Sequence, residues 1–212
     1  MKLEDYKKIV PKIEKIAVKG LDEQIKLAPK NRLEEIKINK NAEYRNASVM
    51  ALLYPKAGVM YMTLILRTTY SGKHSGQVAL PGGKQELIDK SHWHTALREV
   101  EEEIGVSIKD VSLLKELTPL YIPVSNFKVF PFLAEAKKEI EFELQEEEVA
   151  DIIEIPLEYF IKETAIQNVI VNINKETETE APAFVYGKHK IWGATAMMLS
   201  ELKALFIDCL EL

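Results

Sequence analysis

Hydrophobic positions change period along the chain, and the changes mark out its elements. Ile9, Ile13, Ile16 and Ala17 recur at helical spacing, so residues 1 to 30 predict one or two amphipathic helices. Pro11 restricts where the first can start or forces a kink, and Gly20 and Pro29 bracket a second short helix. From about residue 47 the pattern becomes that of strands. ASVMALLYP and VMYMTLILRT, separated by Pro55-Lys56-Ala57-Gly58, predict a β-hairpin. A glycine-rich polar segment runs from Ser71 to Gly83, and a helix is expected over about 90–104. Strands are expected around 112–122, 128–136, 149–155, 165–173 and 183–192. The run Glu146-Glu147-Glu148 reads as a solvated loop or strand entry, and the polar segment Lys175 to Ala181 as a flexible excursion. A closing helix over about 195–211 keeps Met198, Leu199, Leu202, Leu205, Phe206 and Leu210 at helical spacing, with Thr195 as candidate N-cap. This order predicts an α/β protein with a mixed sheet and helices on both faces. A helical arm over 1–40 precedes the main domain over 41–212. The arm reads as packing on that domain or as a homodimer contact.

Composition narrows the function classes. With 212 residues, 47 % of them hydrophobic, the chain supports one sizeable core. Its 33 acidic and 28 basic residues give a net charge of −5, so no nucleic-acid partner is expected. The single cysteine, Cys209, excludes an internal disulfide framework and a multi-cysteine metal site, and is expected to pack as a small hydrophobe. The longest apolar stretch, Ala57 to Leu66, is far short of the roughly 20 residues a membrane span needs. The charged N-terminus MKLEDYKKIV has no signal-peptide core. No membrane partner and a cytoplasmic home are expected.

The chemistry concentrates in LPGGKQELIDKSHWHTALREVEEEIGV, Leu80 to Val106. On a helical wheel with Glu99 at the origin, Ala96, Val100, Trp93, Ile104 and Leu97 fall in one arc of about 60–160°. Glu102, Glu99 and Glu103 fall beside that stripe, between about −60 and +40°, while Glu101 points away near 200°. Three carboxylates on one face repel one another, and a divalent cation would relieve the repulsion while gaining hard oxygen ligands. Magnesium suits such a set because it keeps waters and phosphate oxygens in its shell. A solvated acidic face is the simpler alternative. That alternative must also explain Pro81-Gly82-Gly83 upstream, read as a strand-to-helix junction whose glycines let backbone approach a ligand. It must explain Arg98 too, four residues before Glu102 and able to hold a carboxylate, with Glu102 or Asp89 nearest by sequence.

This segment resembles the Nudix box, Gx5Ex7REUxEExGU with U aliphatic. Arg98, Glu99, Val100, Glu102, Glu103, Gly105 and Val106 match its second half, and Gly83 its opening glycine. Chance agreement of the six defining residues is roughly one in 10⁵ for such a chain. Asp89 stands where the pattern has its first glutamate, and one extra residue precedes Arg98. The coenzyme A pyrophosphatase branch is similar in that spacing and in the run Thr95 to Glu99. His74-Ser75-Gly76-Gln77, Ile122-Pro123-Val124-Ser125 and Ile191-Trp192-Gly193-Ala194-Thr195 also resemble segments of that branch. Gly72 and Leu80 replace its arginine and phenylalanine.

The resemblance implies a Nudix-like α/β/α sandwich and hydrolysis of a nucleoside diphosphate linked to another moiety. Coenzyme A or a derivative leads, giving 3′,5′-ADP and 4′-phosphopantetheine. ADP-ribose, dinucleoside polyphosphates or modified nucleotides are the alternative, and a non-catalytic nucleotide-sugar sensor is a third reading. Glu99, Glu102 and Glu103 would bind Mg²⁺ or Mn²⁺, and Glu102 or Glu103 would accept a proton from the attacking water. Arg98 would act by orienting a carboxylate. Arg67, Lys73, His74, Gln77, Gly82 and Gly83 are the candidate substrate-binding residues, with Lys73 or Arg67 nearest in sequence for the 3′-phosphate of coenzyme A. His92 and His94 lie about 200° apart on the helix, which disfavours a joint zinc site. Tyr121, Tyr186 and Trp192 read first as core aromatics.

Overall fold

Strand β1 (Arg45–Lys56) is the spine of the protein, and the alternation of its side chains builds a core on each of its faces. The computed structural model describes residues 1–29, 43–69, 76–172 and 177–212. Met50, Leu52 and Tyr54 point to one face, where they meet Ala96, Val100 and Ile104 of helix α3 (His92–Ile104). Ala47, Ala51 and Leu53 point to the other, toward Leu199, Leu202 and Phe206 of helix α5 (Gly193–Glu211). That is the α/β class with helices on both faces that the pattern predicts.

β1 turns into β2 (Val59–Arg67) through Ala57 and Gly58, both at positive φ, +49° and +77°, as a two-residue hairpin requires. Pro55 lies past the last β1–β7 pair, Leu53 with Glu135, where its missing N–H does not interrupt that ladder. β1 runs parallel to β7 (Phe127–Ala136) and antiparallel to β2 and to β4 (Gly82–Lys84). β3 (Val78–Ala79) and β8 (Val149–Pro156) pair with β2, and the segments Val111–Glu116 (β5) and Leu120–Ile122 (β6) pair with β7, completing a mixed sheet.

Four expectations change. The strand expected over 112–122 is two, β5 (Val111–Glu116) and β6 (Leu120–Ile122), broken where the Thr118 N–H turns to Glu201. The strand expected over 183–192 is a hairpin of β10 (Glu178–Tyr186) and β11 (His189–Ile191). With β9 (Ile166–Asn172) it forms a separate three-stranded antiparallel sheet. β10 takes in residues 178–181 of the supposed excursion. Glu178 and Glu180 are exposed and Ala181 and Ala183 buried, so the charges belong to the outer side of a strand. Finally, Trp192 is the N-cap of α5 and Thr195 lies inside its first turn. Glu146, Glu147 and Glu148 form an exposed turn into β8, as the charge run suggests.

The N-terminal segment supplies Tyr6, Ile9 and Ile13 of α1 (Leu3–Ile13) to the same core as α5. α1 continues through Pro11, near its end. α2 (Leu21–Gln24) is fastened by a fully buried carboxylate on α5. Glu201 accepts from the Gly20 N–H at 2.8 Å, the Gln24 amide at 3.1 Å and the Thr118 N–H at 3.0 Å. Replacing it leaves the buried Gln24 amide and two half-buried backbone N–H groups without their acceptor. Glu201→Ala is therefore expected to destabilise the protein by about 3 kcal/mol, read by urea unfolding. A loss within about 0.5 kcal/mol, the range of surface substitutions, would show that the clip contributes little. α4 (Leu157–Phe160) buries Leu157 and Phe160 at the end of β8. Cys209 is free and buried on α5, as a small hydrophobe. Among the described residues no helix is long and apolar enough to cross a membrane.

Candidate active site

The glycines predicted to make a strand-to-helix junction lie within a strand instead. Gly82 and Gly83 belong to β4 and pair with Val49 and Ser48 of β1. Gly82 has φ +142°, and a Cβ there would lie 2.2 Å from the Ser48 carbonyl oxygen and 2.6 Å from the Val49 Cα. The close approach is thus to the neighbouring strand. At Gly83 a Cβ would fall 2.5 Å from the Glu99 carboxylate. One glycine admits β1 and the other admits a carboxylate of the helix.

α3 is held at both ends. The Ser91 hydroxyl accepts from the His94 N–H at 3.1 Å, and Gly105 terminates the helix in the left-handed region at φ +72°. Along it, the three converging glutamates occupy different surroundings. Glu102 is open, its side chain 52 % exposed, and Glu99 is at 13 %. Glu103 is at 2 % and accepts the Gly82 N–H through Oε2 at 2.7 Å. Its Oε1 is buried without a hydrogen-bond partner, with Arg67 Nη1 at 3.6 Å. Burial pushes the Glu103 carboxyl up to about 8, against the opposing pull of the Gly82 N–H and Arg67. Burial also raises Glu99, partly offset by Arg98. Glu101 lies elsewhere, its carboxylate 3.5 Å from the Ile108 N–H.

Arg98 organises this face. Its Nε and Nη2 donate to the two oxygens of Asp89 at 3.0 and 2.9 Å, a bidentate pair. Nη1 donates to Glu102 at 2.7 Å and lies 3.0 Å from Glu99, and Nη2 also donates to the Lys84 carbonyl at 3.0 Å. Both partners suggested by sequence are engaged. The arginine holds the Asp89 carboxyl well below the usual carboxylate range. Asp89 also accepts from the Glu86 N–H at 2.9 Å, so it ties the loop before α3 to the helix. Arg98→Lys keeps a charge but loses the fork. It is expected to lower kcat/KM at least about tenfold, with the deficit growing as metal is made limiting. Activity equal to wild type under limiting metal would remove the orienting role.

The acids border a cavity of about 740 Å³. Arg67, Gln77, Gly82, Gly83, Glu99 and Glu102 all line it, whereas Glu103 is buried against Gly82. Ala47, Val49 and Val129 form its apolar floor, and the first turn of α5 closes one side with Ala194 and Thr195. Lys73 and His74 lie outside the described residues. Sequence reading missed Glu148, Lys84, Glu86 and Arg45, which also line the cavity. Glu148 was hidden in an ordinary acidic run, and Arg45 carries no local signal. Among the described residues no three histidine, cysteine or acidic side chains come together at metal-holding distance, because Glu99 and Glu102 turn to Arg98 while Glu103 turns to Gly82. The donor set nonetheless suits a hard divalent ion. It offers three carboxylates along one face of α3, one of them with a buried oxygen that accepts no hydrogen bond.

Comparison with known proteins agrees with this geometry. The NUDIX domain family matches residues 44–171. An uncharacterized Nudix hydrolase, NudL, of Yersinia enterocolitica is 35 % identical over 159 residues, covering 74 % of this chain and 80 % of that protein. The human mitochondrial coenzyme A diphosphatase NUDT8 is 30 % identical over 156 residues, 72 % of this chain and 66 % of that protein. Among solved structures, a MutT/nudix family protein from Enterococcus faecalis superposes with TM-score 0.53 at 16 % identity, covering 91 % of this chain and 76 % of that one. The M. smegmatis Nudix hydrolase RenU gives 0.51 at 14 %, covering 78 % and 87 %. A glutamate face on α3, an arginine that fixes it and a glycine strand packed against it thus stand within a matched domain, and the chain belongs to the Nudix family as a pyrophosphohydrolase.

Proposed function

We propose that this enzyme hydrolyses the diphosphate of coenzyme A or a derivative, releasing 3′,5′-ADP and 4′-phosphopantetheine. The observation that carries the reading is the 30 % identity to a coenzyme A diphosphatase across 72 % of the chain. The one-residue lengthening before Arg98 supports it, since Asp89 in that loop forms the bidentate pair that fixes the arginine.

Nudix hydrolases use a divalent ion such as Mg²⁺ or Mn²⁺, which when bound neutralises charge on the diphosphate. Glu99, Glu102 and Glu103 would hold it. Water attacks one phosphorus of the anhydride: a new P–O bond forms, the bridging P–O bond breaks and the departing phosphate keeps the bridging oxygen. Glu102 or Glu103 accepts the proton the water gives up, a role that contributes about 10²–10⁴-fold in rate when the base is well placed. Arg98 acts through these carboxylates by fixing their direction. Arg67 lies at the acidic end of the cavity beside Glu103.

Product identification tests the reading. With coenzyme A and Mg²⁺ or Mn²⁺, equal amounts of 3′,5′-ADP and 4′-phosphopantetheine are expected, and none after chelation. Intact coenzyme A beside rapid cleavage of ADP-ribose or a diadenosine polyphosphate would replace this substrate with another nucleoside diphosphate derivative.

A further inference from the structure

The cavity has two charged ends, and only one is explained by the acids. Arg98 is paired with Asp89, Glu99 and Glu102, and Arg67 with Glu103. Lys84 pairs with Ala47 of β1, and among the described residues no ion pair or ring contact holds its side chain. Arg45 is different. It begins β1, three residues before Ser48, the partner of Gly83, so about 10 Å of strand separates it from the position opposite Gly83. Among the described residues no carboxylate pairs with it.

Its guanidinium is nevertheless held in place. It rests over the Phe127 ring at 4.2 Å and donates one Nη2 bond to the Ser125 carbonyl at 3.0 Å. The backbone below it is pinned as well, Arg45 N–H to the Asn126 carbonyl at 3.0 Å. An arginine has five N–H donors, and among the described residues only one of them is used, on a group whose direction is already set. Arg45, Ala47 and Val49 are alternate residues of one strand and all line the cavity, so this guanidinium and the apolar floor share a face. An elongated substrate lying on that floor, with its diphosphate at the acids, presents its far end to Arg45.

We propose that Arg45 is the specificity residue of this cavity, binding a second phosphate, a monoester on the ribose of the nucleotide half. The assignment rests on the diphosphate site argued above and narrows the substrate class to nucleotides phosphorylated on the ribose.

The test compares wild type with Arg45→Ala on coenzyme A and dephospho-coenzyme A, and titrates both proteins with 3′,5′-ADP and 5′-AMP. Lys128→Ala, an equal change of charge outside the cavity lining, is the control. A direct charged contact corresponds to a loss of about 10- to 100-fold in kcat/KM on coenzyme A. Dephospho-coenzyme A should change less than about twofold, and Lys128→Ala should change neither. Binding of 3′,5′-ADP should weaken in Arg45→Ala while that of 5′-AMP does not. Equal loss on both substrates, or no loss, overturns the assignment. If wild type cleaves neither compound, the coenzyme A reading has failed and the titration decides alone. Selective weakening of 3′,5′-ADP then supports the phosphate site, and unchanged binding overturns it.

Discussion

Glu103→Gln is expected to lower kcat at least about 10²-fold, while Glu101→Gln, two residues away, leaves it within about twofold. The two side chains differ in surroundings, not in chemistry. Glu103 is buried against the Gly82 N–H with one oxygen unsatisfied, beside Glu99 and Arg67. Glu101 faces outward near the Ile108 N–H. The amide in Glu103→Gln still offers an oxygen to Gly82, so the fold should persist. It removes the charge that a cation would meet and the ability to take a proton. Unfolding curves recorded alongside should show Glu103→Gln within about 1 kcal/mol of wild type in the metal-free protein, since the amide keeps the bond from Gly82 and loses only the ion pair with Arg67. Equal losses of activity in the two variants would dissolve the distinction between the converging acids and the outward one.

The second large effect separates the two adjacent glycines. Gly82→Ala is expected to destabilise the protein by at least about 3 kcal/mol. Its Cβ meets the backbone of β1, at 2.2 Å from Ser48 O, and the residue sits at φ +142°. Neither obstacle can swing aside. Gly83→Ala meets only the end of the Glu99 side chain. That carboxylate can move, so stability should fall by much less while activity falls because Glu99 is displaced. Chemical unfolding and turnover measured on both variants check the pair. Comparable destabilisation by the two substitutions would contradict the reading of Gly83 as a seat for Glu99.

Much of this site was legible because helical periodicity is a local property. The wheel that set Glu99, Glu102 and Glu103 beside the stripe of Ala96, Val100 and Ile104 needs only 3.6 residues per turn. It places Glu103 next to the buried arc, which is where the structure buries it. What the wheel cannot supply is the partner. The Gly82 N–H reaches Glu103 only because β4 pairs with β1, a contact between segments more than 30 residues apart. The same limit explains the misplaced strand-to-helix junction. Two glycines read as a turn, and only the proximity of Ser48 shows why a strand needs them there. Asp89 was visible as a departure from the Nudix pattern, and its pairing with Arg98 makes it part of the site's scaffold. Arg45 and Glu148 enter the cavity through sheet topology alone, so no spacing in the sequence singled them out. The division of β9, β10 and β11 into their own sheet likewise depends on which strands find each other. Lys73 and His74, named for substrate binding from the sequence, lie outside the described residues.

The substrate proposed above is coenzyme A or a derivative. The most direct measurement is kcat/KM for the wild-type enzyme with saturating Mg²⁺ or Mn²⁺ on coenzyme A, its oxidised and acylated forms, ADP-ribose, NADH and diadenosine polyphosphates. Coenzyme A or one of its derivatives is expected to lead that series by at least about tenfold, the factor that a single charged contact to its extra phosphate supplies. ADP-ribose or a dinucleoside polyphosphate at the head of the series would contradict it.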